Sequence, residues 1–247
     1  MTPVRALGKS LDWENTPVRL TVREVFHQVV NLENQEGLRY SLISDSSNYQ
    51  ARSALVVPLP RVCPGESIII DLSETPSKFS PVLPSCKPLK EWIPVVEDWL
   101  QYLIDNDLNL ALSYIENESL ASLIGLGPGK TPSGDDLLAG YITGTRWLDA
   151  DEACKVCDDV LPHLPLTNWF SQNMIADACR AKASATVQDL CNDLSTSNPT
   201  RLRSSARRIA ATGDTSGKSW LAGFGFALFS HFFREGRYDE VYESSSR

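Results

Sequence analysis

Residues 125–140 read Gly125-Leu126-Gly127-Pro128-Gly129-Lys130-Thr131-Pro132-Ser133-Gly134-Asp135-Asp136-Leu137-Leu138-Ala139-Gly140. A glycine-rich loop runs here into an apolar helix. Thr131 or Ser133 can cap that helix, and Pro132 suits its first turn. Ser133 with Asp136 three residues on resembles a capping box. A second stretch has the same grammar. Ser216-Gly217-Lys218-Ser219-Trp220-Leu221-Ala222-Gly223-Phe224 aligns with Ser133 to Tyr141. A one-residue gap at Pro132 then brings Thr215 opposite Thr131. Gly140 and Gly144 lie four apart on one helical face, as do Gly223 and Ala227. Small faces let helices approach closely, so the two helices are expected to pack as a pseudo-twofold pair with both loops opening onto one site.

Outward from these loops the chain changes character. Ahead of about residue 90 it is strand-like. VRLTVREVFHQVVNL from Val18 alternates in places, GLRYSLIS follows a turn at Gln35-Glu36-Gly37, and ARSALVVPL and GESIIIDL are short apolar runs bounded by Pro and Gly. Prolines at 58, 60, 64, 76, 81, 84 and 88 argue against long helices there. From about residue 92 the apolar period becomes helical: Val96, Trp99, Leu100, Leu103, Ile104, then Ala153, Val156, Cys157, Val160, Leu161, then Val187, Leu190, Cys191, Leu194. The expected class is α+β. A small antiparallel β domain, barrel or sandwich, covers 18–90. An α-helical domain with two pseudo-repeated Gly-rich loop–helix units covers 91–238.

Composition excludes several function classes. The chain has 247 residues, 42% hydrophobic and 22% charged, enough for a sizeable core. A net charge of −8 argues against a nucleic-acid binder, which needs a basic face. No apolar run is long enough to span a membrane, and the N-terminus lacks the apolar region of a secretory signal. The six cysteines do not read as a disulfide scaffold in a chain this long. A cytoplasmic protein with reduced thiols is expected. Fourteen glycines are an ordinary number, but six fall within 125–144 and four within 213–225. That clustering marks the two loops as the place to look for function.

The loops suggest binding of an anion or an amide. Gly127, Gly129 and Gly134, with the amides of Thr131 and Ser133, could cradle an anion at a helix N-terminus, and Lys130 would add charge. Thr215, Ser216 and Gly217 supply the matching groups in the second loop. Arg208, with Arg207 at the end of the helix leading into that loop, could hold an anionic substrate. Asp135 and Asp136 cut the other way. They could hold Mg²⁺ that bridges to phosphate, accept N–H groups of an amide or ureido substrate, or only cap the helix. The P-loop pattern G-x-x-x-x-G-K-[ST] fails twice, because its first glycine would fall at Ile124 and Thr212. Cys154-x-x-Cys157 with Cys179 and Cys191 matches no zinc spacing and reads as helix packing. No metal ligands are assigned.

The first motif, with Thr167, Ser171, Ala178, Thr215-Ser216-Gly217 and Leu221-Ala222-Gly223, resembles a bacterial family long listed as of unknown function. One branch of that family is a subunit of oxamate carbamoyltransferase, encoded beside anaerobic allantoin-degradation genes. The resemblance covers roughly residues 20–235. Lys130, Asp214 and Ser219 depart from it: Ser219 stands where the family often has Asp. The resemblance implies carbamoyl transfer from a carbamoyl-phosphate-type donor to a small amide such as oxamate, within purine catabolism and in a complex with other subunits. Asp135 and Asp136 would then be catalytic. The alternative is a non-catalytic scaffold or regulatory subunit of a multi-subunit enzyme.

Overall fold

The computed structural model describes residues 5–105, 120–127 and 129–234. Pro128 of the first loop, and residues 106–119 and 235–238 of the expected helical domain, lie outside the described residues. The chain divides into two compact units: residues 1–83 with 182–188, and residues 84–181 with 189–247.

The first unit is one seven-stranded sheet. Its strands are β1 (Ala6–Ser10), β2 (Val18–Val25), β3 (Val29–Glu33), β4 (Arg39–Ile43), β5 (Ser53–Val56), β6 (Ser67–Ile70) and β7 (Ser77–Phe79). They lie in the order β6-β2-β3-β4-β5-β1-β7. β2 shows why this sequence makes a strand: Val18, Leu20 and Val22 are buried while Arg19 between them is exposed. These side chains join Trp13, Val30, Leu32, Tyr40, Leu42, Ala54, Val56, Ile70 and Leu72 in one core.

The expectation of an antiparallel barrel or sandwich is corrected here. A single sheet forms, and β4 with β5 and β1 with β7 pair parallel. The segment after β4 loops through a short 3-10 turn at Ser46–Asn48, which Asp45 caps by accepting from the Ser47 N–H, and returns to run alongside β4. Such a return is not a hairpin, so the neighbouring strand need not be antiparallel.

Among the described residues the rest of the chain forms seven α-helices: α1 (Ile93–Asp105), α2 (Ser133–Leu148), α3 (Ala150–Val160), α4 (Trp169–Cys179), α5 (Ala185–Leu194), α6 (Pro199–Ala210) and α7 (Ser216–Arg234). The architecture is thus α+β, a sheet followed by helices. α2 is central to its unit, with all but its first residue and Arg146 buried. Lys87 donates to the Trp147 and Leu148 carbonyls and so places a cation at the C-terminal end of α2. Asp149 then caps α3 through the Asp151 and Glu152 amides.

α2 and α7 are in direct contact. A Cβ placed on Gly140 would fall on the Trp220 carbonyl oxygen and the Phe224 amide. A Cβ on Gly223 would fall on the Leu137 carbonyl oxygen and the Tyr141 amide. Backbone meets backbone at both points, which only glycine permits. Trp147 also stacks on Phe224 across the seam, with ring centroids 5.9 Å apart.

Candidate functional site

The candidate residues gather where α2 and α7 begin. Pro132 occupies the N-cap position of α2, so neither Thr131 nor Ser133 caps the helix. The Pro132 carbonyl accepts the Asp135 and Asp136 amides, and the Gly134 amide donates to the Leu126 carbonyl at 2.9 Å. Two acidic residues in the first turn then face the positive end of the helix dipole.

The two aspartates have different surroundings although both are buried. Asp135 is fully engaged within the fold. Its Oδ1 accepts the Gly125 amide at 2.7 Å, and its Oδ2 accepts the Thr167 hydroxyl at 2.5 Å. Gly125 has φ +76°, a left-handed turn that aims its N–H at the carboxylate. Asp135 therefore ties the start of the first loop to Thr167, two residues before α4. Asn168, which caps α4, donates to the Lys130 carbonyl at 2.8 Å and fixes the same loop at a second point.

Asp136 is 3% exposed, and its Oδ2 has no hydrogen-bond partner among the described residues. Burial pushes its pKa up from 3.8 to about 7. Hydrogen bonding from Ser216 and then Thr131 opposes the shift, and the nearby Asp135 carboxyl adds to it. The Thr131 and Ser216 hydroxyls are themselves 2.6 Å apart. Thr131 comes from the first loop and Ser216 opens α7, so groups from both loops meet at one carboxyl. A carboxyl with a pKa near neutrality and an open oxygen can take or give a proton at working pH. A second unpartnered polar atom is found one turn into α7: the Ser219 Oγ, fully buried.

The other sequence-derived candidates fall into three groups. Gly127 and Gly129 are exposed with φ +106° and +103°, and Lys130 is exposed beside them. Ser133 is half-buried, and Gly134 and Gly217 are buried against preceding backbone, with the Gly217 amide donating to the Thr212 carbonyl. Thr215 is exposed, and its carbonyl accepts the Ser219 amide. Arg208 is held by Asp189, Nη2 to Oδ2 at 2.8 Å, on the surface. Among the described residues no group of three or more His, Cys, Asp or Glu could hold a metal ion. Of the aspartate pair only Asp136 has an open oxygen. Thr167 and Ser219 were not among the candidate site residues. Thr167 carries a signal only as part of the family motif, and Ser219 only as the position aligned with Asp136.

No helix of the described residues is long and apolar enough to cross a membrane. Residues 123–228, which include both loops, all of α2 and most of α7, match the family model described as oxamate carbamoyltransferase subunit AllH. This match supports the resemblance carried by the loop motif. No match was found among curated proteins or among solved structures.

Proposed function

We propose that this chain is a subunit of a carbamoyltransferase-type enzyme and that its reacting amide binds where the two loops meet. The observation that carries this reading is the Asp136 carboxyl: buried, unpartnered at Oδ2, close to neutral in pKa, and flanked by one hydroxyl from each loop. An amide nitrogen is a poor nucleophile and must lose a proton as it attacks. Asp136 is the base for that step. The nitrogen bonds to the carbamoyl carbon of a carbamoyl-phosphate-type donor, the bond from that carbon to the phosphate oxygen breaks, and the amide proton passes to Asp136. The Gly134 amide is already engaged by Leu126. Anion contacts therefore fall to the exposed Gly127, Gly129 and Lys130 and to half-buried Thr131, with Lys130 supplying charge. Asp135 positions the loop. The protein acts in allantoin-type purine breakdown with other subunits.

The pairing of the two loop–helix units as repeats belongs to the same reading. It is supported by the reciprocal contacts of Gly140 and Gly223, and by the parallel Gly134-to-Leu126 and Gly217-to-Thr212 hydrogen bonds. One observation favours the scaffold alternative: Asp135 and Arg208 already have partners within the chain. Reconstituting the complex with Asp136→Asn separates the two. Loss of turnover with normal assembly supports a catalytic subunit. Full turnover, together with no saturable binding of carbamoyl phosphate or oxamate in calorimetry with and without Mg²⁺, establishes the scaffold.

A further inference from the structure

A second chemically distinct cluster sits around Arg146, at the end of α2. Its guanidinium reaches three cysteines. Nη1 donates to the Cys154 sulfur at 3.3 Å, Nη2 to the Cys157 sulfur at 3.9 Å, and Nε to the Cys179 carbonyl at 2.8 Å. Cys154 is exposed, whereas Cys157 and Cys179 are buried. Cys154 and Cys157 are one turn apart on α3, on the side of the helix that meets the cation. A guanidinium shared by two thiols is an unusual use of a charged side chain. Two of its bonds, to the Cys179 and Ala150 carbonyls, anchor the side chain, and the other two go to sulfur. Its effect on sulfur is to favour the thiolate, the form that reacts. The Cys157 thiol is drawn down to a pKa of about 7, first by the hydrogen bond that Cys179 donates and then, against burial, by Arg146.

We propose that Cys154 and Cys157 form a hydroperoxide-responsive dithiol, with Cys154 meeting the oxidant and Cys157 resolving it. The Cys154 thiolate attacks one peroxide oxygen. The S–O bond forms, the O–O bond breaks, and the departing hydroxide takes a proton to become water, leaving a sulfenic acid. The Cys157 thiolate then attacks the Cys154 sulfur. The S–S bond forms, the S–OH bond breaks, and the hydroxide leaves with a proton as a second water. Two thiols are oxidised by two electrons and one peroxide is reduced. Arg146 serves both steps by placing its guanidinium against both sulfurs. Side chains three apart on a helix have Cβ atoms about 5–6 Å apart, and a disulfide needs about 3.5–4.5 Å. The turn of α3 between them therefore has to open, which couples the thiol state to the contact between Arg146 and the end of α4.

The test exposes the whole chain to limiting hydrogen peroxide with dimedone present, then maps adducts and disulfides by mass spectrometry. Cys63, exposed in the other unit with the Glu66 carboxylate bonded to its amide, is the internal reference. Cys154, with a guanidinium nitrogen 3.3 Å from its sulfur, should react about tenfold faster than Cys63. Without dimedone a Cys154–Cys157 disulfide should form and revert under dithiothreitol. Cys157→Ser should leave Cys154 as a trappable sulfenic acid, and Arg146→Lys should slow its formation. Equal labelling of Cys63 and Cys154 in the unmodified protein, or a disulfide joining any other pair, overturns the proposal without relying on a folded variant.

Discussion

The first turns of α2 and α7 use similar backbone and different side chains. Each follows a glycine with positive φ, at Gly127 and Gly213, and each has a Ser-Gly pair at its start. Each glycine amide is bonded back to the residue before the turn. α2 then presents Asp135 and Asp136, while α7 presents Lys218 and Ser219. The outcome is a carboxyl with a raised pKa on one side and a small unpaired hydroxyl on the other. Both helix starts thus hold a buried polar side chain with an unpartnered oxygen, and the two differ in whether that side chain is ionisable.

The strongest way to break the comparison is to remove the proton chemistry. Asp136→Asn should lower turnover of the reconstituted enzyme by about 10²–10⁴-fold, the usual worth of a general base. The same variant should change the pH dependence of stability. Asp136 has a higher pKa folded than unfolded, so its contribution is fully present below about pH 4 and is lost as pH rises through about 7. Denaturant midpoints of the wild type should fall across that window. Those of Asp136→Asn should be flatter and should exceed the wild type at neutral pH.

Next in size is the seam. Gly140→Ala and Gly223→Ala each drive a methyl onto a backbone carbonyl, and each should cost about 3 kcal/mol, the upper end of overpacking. Gly225→Ala is the control. Its methyl would meet Trp99 and Val96 at 3.4 Å or more, so its melting temperature should hold or rise.

Asp135→Asn turns one acceptor oxygen into a donor facing either the Gly125 amide or the Thr167 hydroxyl. A loss of about 1–3 kcal/mol is expected in chemical denaturation. Ser219→Ala should change stability by less than about 1 kcal/mol, or raise it, because the hydroxyl it removes is buried without a partner. A large loss from Ser219→Ala would mean that the second position carries an interaction of its own.

Much of this was legible from local pattern. The alternation of Val18, Leu20 and Val22 marks a strand, and the four-residue spacing of Gly140 and Gly144 marks a close helix face. Both are consequences of backbone period. The parallel pairing of β4 with β5 was not legible, because strand direction depends on where an irregular connection returns. β1 was missed because ALGKS has no clear alternation of apolar residues. Residues 182–188 join the first unit through contacts such as the Ala183 amide on the Pro81 carbonyl, about a hundred residues away in sequence, which no local period records. The Asp-Asp pair was visible, but the different surroundings of its two carboxyls were not. Thr167, whose hydroxyl occupies Asp135, lies 32 residues further along the chain.

The reciprocal contact of Gly140 and Gly223 also bears on how such a protein can change over generations. Each glycine is held by the backbone of the opposite helix, so no single side-chain change elsewhere can relieve a substitution at either. The positions of Asp136 and Ser219, one helical turn away, are free of that constraint. A lineage can therefore exchange the side chain at that position by one mutation while the frame that presents it stays fixed. Variation among descendants should collect at the helix starts and be nearly absent at the crossing.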